Sequence, residues 1–343
     1  HAVCSELEMR KEYLGGETIE TIYWGGGTPS QLDKEDFETI FYYLHKNYSI
    51  SSHPEITLEA NPDDLTPDYI AMLRTLPFNR LSMGIQTFNE SILKVLQRRH
   101  TARQAIEAFQ NCRAAGFQNI SIDLMYGLPG ETLSTWQQDL DQALLLHPEH
   151  LSAYHLIYEE DTVLWKLREQ HKVEEADEDL SVSLFSTLID RLTSEGYDHY
   201  EISNFSLPGL YSRHNSSYWT EKKYLGCGPS AHSYNGVSRQ WNVASLDTYI
   251  KGISAGTPVF EIEELDLYTR YNDFVITRIR TEWGMPLSKL RDEFGEKLYD
   301  YCLRMAAPHL KQGTLELVND ILKLTRKGIF ISDGIMSDML WTD

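Results

Sequence analysis

Short apolar or β-branched runs recur along the chain at residues 21–24, 56–59, 81–85, 120–125 and 151–157. Between them lie stretches with helical spacing, such as Phe37, Ile40, Phe41 and Leu44, or Ala105, Ala108, Phe109 and Cys112 before a stop at Gly116. This alternation predicts a parallel sheet with helical crossovers. Residues 1–14 read as an amphipathic helix with Val3, Leu7 and Leu14 inward and no strand before it, so a first strand and its loop are expected upstream of His1. Residues 159–179 are acidic and polar and read as solvated helix and loop, followed by a helix over 181–195 that ends near Gly196. Beyond Trp241 the alternation stops. Helices are expected near 267–281 and 287–305, then a hairpin whose strands, 315–318 and 321–324, flank Asn319 and Asp320. The expected domains are residues 1–240, an α/β barrel core with its extension, and residues 241–343, a helical, winged-helix-like unit.

Composition narrows the function classes. With 343 residues, 41% of them hydrophobic, the chain can bury a large core. No run approaches the roughly 20 apolar residues of a membrane span, and no signal peptide opens the chain, so the expectation is a cytoplasmic protein without stable membrane insertion. The net charge of −20 argues against nucleic acid as a partner, and the winged-helix-like region therefore reads as structural or lid-forming. Cys4, Cys112, Cys227 and Cys302 lie far apart and form no CxxC pair, which suggests neither a disulfide framework nor a zinc ribbon and reads as buried or incidental thiols. Locally the charge reverses: residues 211–241 carry Arg213, Lys222, Lys223 and Arg239 against Glu221 alone. Such a basic patch invites an anionic ligand.

The strongest chemical signal is Gly25-Gly26-Gly27-Thr28-Pro29, at the end of the 21–24 strand. In a parallel barrel, ligands bind at that edge, and three glycines let peptide groups approach a ligand's amine or carboxylate. A bare glycine turn is the structural alternative; the phosphate-binding GxxxxGK[ST] pattern is not matched. Polar residues end the next strands: Glu59, Gln86 and Asp123. A carboxylate in an apolar strand is costly unless paired or ligand-bound, so these three point to a site, with Arg98 as a counter-charge or a solvated helix-end cation. Gly226-Cys227-Gly228-Pro229-Ser230-Ala231 spells the dinucleotide pattern GxGxxA, but no βαβ unit surrounds it, and it is set aside.

Four segments, GGGTP at 25–29, LEANP at 58–62, RLSMGIQTFN at 80–89 and IDLMYGLPG at 122–130, together resemble the radical S-adenosylmethionine (SAM) core of the oxygen-independent coproporphyrinogen III oxidase family. The resemblance implies a partial (β/α) radical SAM TIM-like barrel. It implies SAM contacts at Gly26, Gly27, Thr28, Glu59, Gln86, Arg98 and Asp123, and an adenine-side backbone contact at Ile157. It also implies a [4Fe–4S] cluster, yet the CxxxCxxC motif that would hold it does not occur here, so no metal ligand is assigned and the cluster cysteines are expected upstream of His1. Within the family, Arg213-His214-Asn215-Ser216-Ser217-Tyr218-Trp219 resembles the HNxxYW signature of HemW-type haem chaperones. His214 can ligate iron, Tyr218 and Trp219 can cover a macrocycle, and the nearby cations can meet its propionates; the alternative is a packed aromatic loop with a hydrogen-bonded histidine. The implied function is haem binding and transfer to an acceptor protein. The alternative implied is the oxidase itself, decarboxylating porphyrinogen propionates to vinyl groups, which leaves open whether the chain is an enzyme.

Overall fold

The computed structural model describes residues 1–342. Thirteen strands are defined: β1 (Ile19–Trp24), β2 (Ile50–Ala60), β3 (Arg80–Gln86), β4 (Ile120–Tyr126), β5 (His150–His155), β6 (Asp198–Glu201), β7 (Asn204–Ser206), β8 (His232–Tyr234), β9 (Ser238–Asn242), β10 (Phe260–Glu264), β11 (Met285–Pro286), β12 (Leu315–Val318) and β13 (Ile321–Leu324). The first seven form one sheet in the order β1-β2-β3-β4-β5-β7-β6. Pairing is parallel from β2 to β5, whereas β7 and β6 add antiparallel. All five sequence-predicted strands are therefore present, in chain order and mostly parallel, as short apolar runs joined by helical crossovers require.

Two compact units are distinguished: one comprises His1–Glu20, Glu35–Pro54 and the chain from Arg213 onward, the other Thr21–Lys34 and Glu55–Ser212. In the second unit the sheet has two unlike faces. Ile56, Leu58, Leu81, Met83, Ile85, Ile120, Ile122, Leu124, Leu151 and Ala153 are buried and share one face by strand alternation. Helices Ala102–Ala114 and Glu178–Ser194 pack on the sheet. The first starts at a capping box of Thr101 and Gln104, and Asp177 caps the second. The opposite face is polar: Thr57, Glu59, Arg80, Ser82, Ser121, Asp123, His150, Ser152, Asn204 and Ser206 are in register across it.

In the other unit the N-terminal helix is Ala2–Met9, shorter than the 1–14 expected. Leu7 and Leu14 are buried as anticipated, but Val3 is only half-buried and the fully enclosed polar residue is Glu6. Its carboxylate accepts from Arg10 Nη1 (3.1 Å), Gly228 N (2.8 Å), Asn242 Nδ2 (2.7 Å) and Tyr249 Oη (2.7 Å). In the GxGxxA segment Gly226 serves packing, since a Cβ there would lie 2.2 Å from the His232 carbonyl oxygen, while Gly228 takes φ 116° and presents its N–H to Glu6. Strands β8, β9 and β10 form an antiparallel sheet that the sequence pattern did not specify. Helices Leu267–Ile279 and Leu287–Gln312 follow, the latter interrupted at Gly295 (φ 79°). The β12–β13 hairpin has the predicted limits, and β11 joins it. Among the described residues no helix is long and apolar enough to cross a membrane.

Candidate functional site

The Gly25–Pro29 turn leaves the end of β1 with Gly26 and Gly27 at φ 72° and 58°, conformations that glycine adopts without strain. A Cβ on either would meet nothing within 4 Å, so the space beside the turn is open. Gly25 has a different constraint: a Cβ there would lie 2.6 Å from the Tyr23 ring. Glu59, on the polar face of β2, accepts from Tyr23 Oη (2.6 Å) and from Gly26 N (3.2 Å), which fixes the turn to the sheet.

On β3 the register shifts between Gly84 and Gln86, and Gln86 takes φ 70°, a left-handed conformation that is uncommon outside glycine. The shift folds the side chain back. The Gln86 amide nitrogen lies 3.0 Å, and Arg98 Nη2 3.5 Å, from the point where Gly84 would carry a Cβ. Gly84 is in register with Asp123, so that point is on the polar face. Arg98 Nη2 also donates to the Gly84 carbonyl (2.9 Å) and to Asn61 Oδ1 (2.7 Å). The guanidinium is thereby held over the sheet rather than splayed into solvent. Asp123 accepts from Ser82 Oγ at 3.3 Å on both oxygens. Burial first, and then the neighbouring Glu59 charge, pushes its carboxyl up to about 6.

Gly26, Gly27, Glu59, Gln86, Arg98 and Asp123 thus converge at the strand ends on the polar face. Thr28 continues the exposed turn. Ile157 lies just beyond β5 and is 74% exposed. Sequence reading missed Tyr23, Gly84, Asn61 and Ser82. The signal for two of them was visible as strict polar–apolar alternation in Arg80-Leu81-Ser82-Met83-Gly84-Ile85, with a glycine inside a strand where other groups approach closely.

The second candidate cluster belongs to the other unit. Arg213–Tyr218 forms a short helix in which His214 Nε2 is 2.9 Å from Tyr218 Oη, with the rings edge to face. Trp219 is covered on one face by the Arg280 guanidinium at 4.3 Å, and its indole nitrogen is buried without a hydrogen-bond partner. The local excess of cations does not survive folding. Lys222 pairs with Glu20, Lys223 with Glu17, and Arg239 with Glu263 and Asp273, while Arg213 donates to the His53 carbonyl. Acids distant in sequence neutralise the patch.

The thiols do not fit an iron–sulfur cluster. Cys4, Cys112 and Cys302 are buried and Cys227 half-buried, and burial raises the pKa of each, that of Cys112 to about 12 and Cys302 to about 11. Among the described residues no group of three or more His, Cys, Asp or Glu side chains is arranged to hold a metal.

A curled sheet with a glycine turn and polar groups at its strand ends, completed by a helical C-terminal region, defines the class. The Radical SAM superfamily model matches residues 5–143, and the HemN C-terminal domain model matches residues 265–331. The Escherichia coli coproporphyrinogen III oxidase (HemN), described as a radical SAM enzyme, superposes with a TM-score of 0.84 at 23% identity over 98% of this chain and 81% of that one, so the fold is a partial radical SAM barrel with a helical extension. A "Heme chaperone HemW" of Mycobacterium tuberculosis (strain CDC 1551 / Oshkosh) is 32% identical over 340 residues, 99% of this chain and 85% of that protein. The "Heme chaperone HemW" of Bacillus subtilis (strain 168) is 30% identical over 95% of this chain and 86% of its own length. This chain belongs to the porphyrin-related HemN/HemW family of radical SAM proteins. Membership carries the use of SAM and a [4Fe–4S] cluster as general properties of the superfamily.

Proposed function

We propose that the chain binds haem and delivers it to acceptor proteins, with a SAM-binding site on the polar face of its sheet. The observation that carries the haem reading is the near full-length similarity to haem chaperones, combined with the His214-Asn215-Ser216-Ser217-Tyr218-Trp219 segment folded as a short helix. His214 supplies an imidazole for iron and Tyr218 an exposed ring for the macrocycle; Trp219 contributes its remaining face. The paired state of Lys222, Lys223 and Arg239 assigns less of the affinity to propionate charge and more to iron ligation and apolar contact.

For SAM, the exposed Gly26-Gly27-Thr28 turn and the carboxylate of Glu59 suit the methionyl amine. Arg98 and Gln86 supply donors, Asp123 an acceptor, and the Ile157 backbone an adenine contact. SAM bound to a reduced cluster supplies one-electron radical chemistry. Because the described residues provide no cluster ligands, no reaction step is assigned through it.

The test is a haem titration of wild type and His214→Ala, with SAM binding measured in parallel. Loss of an axial ligand should shift the Soret band and weaken haem at least about tenfold, or about 1.4 kcal/mol, with SAM affinity unchanged. Tyr218→Phe, which frees Nε2 from its present partner, should retain haem binding. Identical Soret maxima and affinities in wild type and His214→Ala would remove His214 from the site. Decarboxylation of coproporphyrinogen III without haem transfer would replace the chaperone reading with the oxidase.

A further inference from the structure

Arg80 begins β3 on the polar face and is 1% exposed. Its Nε and Nη2 have no hydrogen-bond partner within the protein. These nitrogens occupy one edge of the guanidinium, the side-on pair that grips a carboxylate through two parallel N–H···O bonds. A buried fork left without acceptors is expensive and calls for an explanation. Thr57, the in-register neighbour of Arg80 on β2, is fully buried, and its Oγ1 is likewise without a partner.

The surrounding polar groups are engaged elsewhere. His150, which burial and the Arg80 charge keep neutral, has Nδ1 2.8 Å from Ser121 Oγ and Nε2 2.7 Å from Tyr200 Oη. Asp123 is near enough for the Arg80 charge to act on its carboxyl but makes no hydrogen bond to Nε or Nη2, accepting instead from Ser82 on both oxygens, and Ser152 donates to Asn204 Oδ1 (3.0 Å). What remains is a cationic fork with a hydroxyl on the adjacent strand. That combination provides three donors, which matches a planar two-oxygen anion.

We infer that the polar face of the seven-stranded sheet carries a buried carboxylate site, in which Arg80 Nε and Nη2 each hold one oxygen and Thr57 Oγ1 donates to one of them. The site takes a carboxylate, whether a free small one or the carboxylate arm of a ligand bound at the strand ends. It does not depend on the haem reading; only the second arm of the test rests on SAM binding.

In the first arm, sodium acetate is titrated into the protein at ionic strength held constant with chloride, and the unfolding midpoint and the linewidth of 13C-acetate are followed. A saturable rise in midpoint and broadening of the acetate line are expected for wild type, a loss of about tenfold in affinity for Thr57→Val, and no response for Arg80→Gln. If Arg80→Gln does not fold, Thr57→Val decides, since it keeps the charge. In the second arm, SAM and decarboxylated SAM are compared in wild type and Thr57→Val. A carboxylate arm seated at Arg80 gives wild type the larger preference for SAM, and Thr57→Val reduces that preference. Acetate behaving like chloride, together with equal discrimination between the two SAM forms by both proteins, overturns the site and leaves the SAM reading untouched.

Discussion

Asp123→Asn should make the ligand-free protein more stable at neutral pH, although it removes a candidate binding group. In the folded protein the carboxyl is shifted from an ordinary value near 3.8 to about 6, by burial and by Glu59. Below pH 4 it is protonated in both states and contributes no difference. As pH rises through the interval up to about 6, the unfolded chain ionises while the folded chain retains its proton, and native stability falls. At about 1.36 kcal/mol per pH unit the full difference is about 3 kcal/mol, and partial exposure of the carboxylate reduces it to about 1–3 kcal/mol. An amide avoids this cost and keeps an oxygen for the Ser82 hydroxyl. Urea denaturation at pH 4, 5, 6 and 7.5 should show the variant's advantage growing from near zero to a plateau above pH 6. With SAM at 100 times its dissociation constant the wild type should gain about 2.7 kcal/mol, a gain the variant largely loses. A variant no more stable than wild type at pH 7.5, or a difference that is flat with pH, would refute the reasoning. A carboxylate that destabilises its own fold is what a residue retained for binding looks like.

Glu6→Ala removes the acceptor for Arg10, Gly228, Asn242 and Tyr249 at a fully buried position and should cost about 3–5 kcal/mol in urea denaturation; a loss under about 1 kcal/mol would show that the network is dispensable. Anaerobic treatment of these 343 residues with iron and sulfide should give no stoichiometric [4Fe–4S] absorbance, because the four thiols are dispersed and burial holds them protonated; one cluster per chain would contradict that assignment.

By itself the sequence determined the five leading strands, their order, the β12–β13 hairpin and most of the residues gathered at the strand ends. These follow from local information: short apolar or β-branched runs, helical spacing between them, and turn chemistry at Gly25–Gly27 and Asn319-Asp320. Tertiary structure alone decided four things. Glu6 looks like one more acid on an amphipathic helix until partners more than 220 residues away enclose it. The segment from Tyr211 to Trp241 looks basic until Glu17, Glu20, Glu263 and Asp273 are folded against it, because charge in sequence is summed along the chain whereas charge in space is summed over neighbours. Gln86 looks like an ordinary strand end, yet a register shift between β3 and β4 turns its amide over Gly84 beside Asp123. Arg80, which the sequence reading did not single out, becomes the buried fork of the polar face because pairing of β3 with β2 and β4 places it inside. Periodicity specifies which face a side chain takes, but only the packing of distant elements fixes what that face meets.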